Sequence, residues 1–214
     1  METGRLEAFS DGVFAVAITL LALDLTVSKP GGATLSHKLA EIWPSFVGYG
    51  VSFLTIGIIW VNHHALFRNF AHVDRPLLFL NLLLLFFVVS IPFATSMTAA
   101  YLLADARDAG LAAAIYMAVF EGMSIAFGLL FWWAIRREHM KIPLTPAQAR
   151  RASIRFGVGQ LGYIAGIGIA FVSAPVAVAL AAVVAIYYVF EQTPSDSGAA
   201  AGSGDVPPDG QIGP

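Results

Sequence analysis

Residues 5–24 read RLEAFSDGVFAVAITLLALD: an arginine and a Phe9-Ser10-Asp11 triplet open a run that is then almost wholly apolar. The run is long enough to cross a bilayer as a helix, so a spanning segment here carries polar groups at its start. The rest of the chain obeys the same constraint. With 57% hydrophobic and 12% charged residues and a mean hydropathy of +0.74, the composition is too apolar for a water-soluble domain of 214 residues and marks an integral membrane protein. The first apolar stretch is long and lacks a small-residue cleavage signature, which reads as a retained helix and not a signal peptide. A net charge of −2 without a long basic run gives no nucleic-acid signal, and zero cysteines exclude disulfides and thiolate chemistry.

Six spans are expected, making an all-α polytopic membrane protein: about 8–27, 43–67, 77–103, 111–135, 154–173 and a last one closing near Phe190. Pro30-Gly31-Gly32 signals a loop after the first, and a polar segment through His37 and Lys38 leads to the second. Pro92 is expected to kink the third span, and Ala174-Pro175 to make a tight turn before the last. Gly157, Gly159, Gly162, Gly166 and Gly168 give the fifth a small-residue face for close packing. Arg5, Arg68, Arg75, Arg136, Arg137, Lys141, Arg150, Arg151 and Arg155 fall on one side against Lys29, Lys38 and Arg107 on the other, which puts both termini in the cytoplasm of a cell-membrane protein. Residues 1–191 form one transmembrane domain, and 192–214, rich in Ser, Gly, Pro, Ala and Asp, read as a disordered tail.

On a helical wheel at about 100° per residue, Phe9, Gly12, Val16, Leu20, Leu23 and Val27 share one side, Thr19 borders it, and Asp11 points nearly the opposite way. The stripe fits two arrangements. It can be the packing seam of an ordinary bundle, or the lining of a pore whose Ser/Asp side is held by neighbouring helices.

Arg-x-x-x-Phe-Ser-Asp followed by Val-Phe-Ala-Val-Ala-Ile-Thr-Leu-Leu resembles the opening of the transmembrane-175 potassium channels, the lysosomal channel and its prokaryotic relatives. The resemblance continues through Trp60-Val-Asn62-His63-His64-Ala-Leu-Phe67 and Asp74-Arg75-Pro-Leu-Leu-Phe-Leu-Asn81 to Ile91-Pro92-Phe93. The Phe-Ser-Asp motif occurs once, so the chain carries a single six-span unit, and enclosing an axis with its first helix needs several copies. The resemblance implies a homotetramer and a potassium-selective or potassium-preferring cation channel, with potassium as the permeant ion and no cofactor. By the same resemblance, Val16, Leu20 and Leu23 form the constriction and Thr19 takes part in selectivity. Around an axis those apolar residues recur at one-turn intervals, and rings of this kind resist water and ions until they widen. No carbonyl-lined Thr-Val-Gly-Tyr-Gly loop is present.

Arg5, Phe9, Ser10 and Asp11, with Trp60, Asn62, His63 and His64 at a comparable depth, are expected to brace the base of the first helix. Polar groups in a membrane are costly unless paired, and Asp11 points away from the stripe. Adjacent His63 and His64 point in different directions and have no i+4 ligand partner, so they read as hydrogen-bond partners, with no metal beyond the permeating ion. Glu121, the one acid deep in the fourth span, is expected to make an interhelical contact with Ser124 near by, and Asn81, Ser90, Thr95, Ser96 and Thr98 to hold helices together. A proton-coupled secondary transporter using Asp11, Glu121 and the histidines is the alternative; no inverted repeat supports it. No nucleophile or metalloprotease motif suggests an enzyme.

Overall fold

The computed structural model describes residues 3–27, 32 and 34–190, which form seven helices. These are α1 (Thr3–Leu23), α2 (Leu35–Glu41), α3 (Trp43–Arg68), α4 (Arg75–Tyr101), α5 (Ala106–Arg136), α6 (Pro146–Ala170) and α7 (Ala174–Phe190). Four of them, α1, α3, α4 and α5, are long and apolar enough to cross a membrane by length and composition. α6 has 25 residues but opens on a polar stretch, and α7 is an apolar helix of 17 residues. The chain is an all-α, multi-pass membrane protein. The expected tail, Lys29, Pro30 and Gly31 lie outside the described residues.

The helix ends differ from the apolar boundaries for local reasons. α2 forms where only a polar connection was expected, started by Thr34, whose hydroxyl accepts from the His37 N–H at 3.4 Å. α6 starts at Pro146, well before Ile154, because Thr145 and Gln148 make a capping box. α1 stops at Leu23, short of the expected Val27. α4 runs on through Pro92 as one helix.

α5 sits at the centre, packed on α4, α6 and α7, and buries Tyr116, Met117, Phe120, Phe127 and Leu130. The small-residue face of α6 permits this. A Cβ on Gly166 would land on the Met117 side chain, one on Gly159 on the Tyr188 hydroxyl, and one on Gly162 would come within 2.8 Å of Val184. Gly157 and Gly168 face open space. A directed polar chain ties three helices in the middle of the bundle. The Thr95 hydroxyl donates to the Ile91 carbonyl (2.7 Å), so it accepts from Ser52 (2.7 Å), which in turn accepts from the Tyr116 hydroxyl (2.9 Å). Thr98 donates across to the Ala112 carbonyl, whereas Ser90 bonds its own helix at Phe86. Glu121 is buried, and in place of the expected interhelical hydrogen bond its Oε2 has no partner among the described residues.

At one end of the bundle the α3–α4 and α5–α6 loops are laced together. Phe70 bridges Met140, the Ala71 N–H donates to the His139 carbonyl, and the Lys141 N–H donates to the Asn69 carbonyl, both at 2.7 Å. Asp74 caps α4, accepting from the Leu77 N–H at 2.9 Å and from the Trp133 indole at 3.0 Å. His139 Nε2 lies 3.0 Å from the same carboxylate, while its Nδ1 meets His72 Nε2 at 2.6 Å. Partial burial raises the Asp74 pKa, but the Leu77, Trp133 and His139 hydrogen bonds outweigh it and hold the carboxyl below its ordinary 3.8.

Candidate functional site

α1 packs against α3 and α4 along Leu6, Ser10, Phe14, Ala17 and Leu21, all buried. These residues recur every three or four positions and define the intramolecular seam of the helix. The wheel's stripe is a different face. Val16 is 54% exposed, Leu20 40% and Leu23 69%, and Phe9, Gly12 and Val27 are exposed beside them. The seam within one copy therefore does not run along the stripe, which stays exposed among the described residues. Thr19 lies on this exposed side and donates its hydroxyl proton to the Val16 carbonyl at 2.8 Å, leaving the oxygen lone pairs outward.

On the opposite face the polar residues at the start of α1 are engaged. Ser10 is buried and donates to the Leu6 carbonyl at 2.9 Å, so it can only accept from Asn81 Nδ2, at 3.0 Å. Asn81 Oδ1 is then the acceptor for His63 Nε2 at 2.8 Å, which assigns the ring proton to that nitrogen. The relay runs from α3 through α4 to α1 with one polarity. His63 is fully buried, stacked on Phe67 at 3.9 Å and tilted against Phe14 at 5.3 Å. A second layer lies between α1 and α3. The Trp60 indole donates to Asp11 Oδ1 at 2.9 Å, and His64 Nδ1 lies 2.9 Å from Glu7 Oε1.

The structure thus brings Ser10, Asp11, Trp60, His63 and His64 together. Arg5 and Phe9 are exposed, and Arg5 makes no ion pair among the described residues. Asn62 turns toward another side, lining a cavity of about 20 Å³ with Thr55, Ser124 and Tyr188. Two members of the network were not assigned from sequence. Glu7 and Asp11 are four residues apart, as are Trp60 and His64. On antiparallel helices that equal spacing lets the pairs stack one turn apart, and it was the available signal. Asn81 was expected to hold helices together, but not as part of this network. Among the described residues no cluster of three or more His, Asp or Glu side chains is placed to hold a metal.

The family model described as "Endosomal/lysosomal potassium channel TMEM175" matches residues 5–92, which hold α1, α3, most of α4 and the whole network. A potassium channel of Streptomyces collinus is 52% identical over 197 residues, covering 90% of this chain and 94% of that protein. The crystal structure described as that of a lysosomal potassium-selective channel TMEM175 homolog from Chamaesiphon minutus superposes with a TM-score of 0.78 at 34% identity, covering 89% of this chain and 97% of that one. The bovine endosomal/lysosomal proton channel TMEM175 is 39% identical over 106 residues, 45% of this chain and 22% of that protein. Matched along nearly its whole length by bacterial potassium channels and over residues 5–92 by the family model, this chain belongs to the TMEM175 family of potassium channels.

Proposed function

We propose that copies of the chain, four by the family resemblance, surround an axis lined by α1 and conduct potassium passively through a cell membrane, with both termini in the cytoplasm. The observation that carries this reading is the exposed stripe of α1, since the helix spends its other face on α3 and α4. Val16, Leu20 and Leu23 then stack as apolar rings that restrict hydration, and opening means widening them. Thr19 presents hydroxyl oxygens beside the Val16 ring to a partly dehydrated cation. Ser10, Asp11, Trp60, His63 and His64, with Asn81 and Glu7, fix the rotation of α1 so that the stripe, and not Ser10 or Asp11, meets the axis. Arg5 and Phe9, exposed at the base of the helix, are placed for contacts between copies. Arginines and lysines gathered at the loops between α3 and α4 and between α5 and α6 support the orientation.

Reconstituted protein tests the proposal through its current. The reversal potential should follow the potassium gradient and stay fixed when only pH is changed, and Leu20→Ser should raise conductance and weaken selectivity. Unchanged permeation in Leu20→Ser would overturn the assignment of the stripe to the conduction path, and a reversal potential that moves with protons would favour a coupled carrier.

A further inference from the structure

A groove of about 500 Å³ opens between α5 and α6 toward the basic end of the bundle. Its size lies within the ligand range of roughly 300–1,000 Å³. Arg136, the last residue of α5, and Arg150, in the second turn of α6, stand at its mouth. The Arg136 guanidinium sits 5.2 Å from the centre of the Trp132 ring, and neither arginine is ion-paired among the described residues. No carboxylate lines the groove. Away from the mouth the wall becomes Leu129 and Ile125, both exposed apolar residues, reached over about 10–16 Å of helix at 1.5 Å per residue. Gln160 adds one amide along the α6 side.

We infer that this groove is a binding site for an anionic glycerophospholipid, its phosphodiester held by Arg136 and Arg150 and an acyl chain laid over Leu129 and Ile125. Charge decides the headgroup, because among the described residues no carboxylate pairs with these two guanidiniums at a membrane–water boundary. The wall decides the source of the phosphate: a soluble anion would leave the apolar wall uncovered, whereas a lipid satisfies both ends of the groove at once. Trp132, half exposed with an apolar ring and one N–H, suits the interfacial depth between them.

Native mass spectrometry of the full chain in detergent, titrated with phosphatidylglycerol or phosphatidylcholine of matched acyl chains, tests the site. Phosphatidylglycerol should bind about tenfold or more tightly, in line with the attraction of two arginines for an anionic lipid. Arg136→Gln/Arg150→Gln should erase that preference. Arg137→Gln/Arg151→Gln, which removes the same charge from neighbouring positions outside the groove lining, should keep it. Gly128→Leu leaves the charge intact while filling the groove, and a Cβ there meets only the Gln160 amide, at an ordinary contact distance of 3.5 Å. It should weaken retention of both lipids. Equal binding of the two lipids by the unaltered chain, a preference that survives Arg136→Gln/Arg150→Gln, or one lost equally in the Arg137/Arg151 variant would overturn the inference.

Discussion

Asn81 joins three helices through one amide, accepting from His63 and donating to Ser10, and both partners are buried. Asn81→Leu removes both bonds and strands the His63 N–H, whose alternative is hydrocarbon. The expected cost is about 1–3 kcal/mol, measured as lost thermal stability in detergent. Glu121 presents the opposite case, a buried carboxyl with one oxygen unpartnered among the described residues, so Glu121→Leu should stabilise the fold by about 1–3 kcal/mol, the penalty of an unsatisfied polar group. Asp74 is satisfied and titratable. Its folded pKa lies below the unfolded value, so its ionised contacts contribute fully above the unfolded pKa and are lost as pH falls through the folded one. Asp74→Ala should cost about 1–2 kcal/mol near neutral pH through the lost α4 cap, and the gap to the unaltered protein should narrow on strong acidification. A gap independent of pH would show that the charge contributes nothing. Ser10, Asp11 and the two histidines could be picked out from sequence as polar residues in apolar surroundings. Their pairing could not, since it depends on how α1 is rotated and shifted along α3.

Among the helices, α6 shows how small residues set contact distance. Gly159 approaches Tyr188 so closely that any side chain there must displace the ring, and Gly162 is similarly tight against Val184. Gly159→Val should therefore destabilise the α6–α7 contact by about 1–3 kcal/mol, whereas Gly157→Ala, facing open space, should be nearly neutral or slightly stabilising by helix propensity. Equal melting temperatures for the two variants would contradict the packing account. The glycine run was legible as a close-packing face, but which glycines touch a neighbour was not, because five of them spread around the helix and only three meet α5 or α7. α2 escaped the sequence reading for a related reason. Seven residues are too few to show a helical period, and their start depends on the Thr34 cap.

For the whole molecule, the proposed assembly makes α1 the meeting place of neighbouring copies, and the absence of native cysteine simplifies its test. Leu23→Cys, 69% exposed in the single copy, should give oxidised disulfide dimers, while a cysteine replacing the buried Leu21 should not. Native mass should report four copies; a monomer would leave the stripe facing lipid. What the sequence alone determined is the solvent and the helical character of the long apolar runs: segments of bilayer length and a composition no water-soluble core could absorb are local properties of the chain. The face of α1 that the protein keeps for itself was decided only by tertiary structure. Lipid tails are as apolar as a leucine-lined core, so hydrophobicity does not tell a buried face from an exposed one in a membrane. What marks that face is the Ser10–Asn81–His63 relay and the Asp11–Trp60 bond, which join α1 to partners distant in sequence.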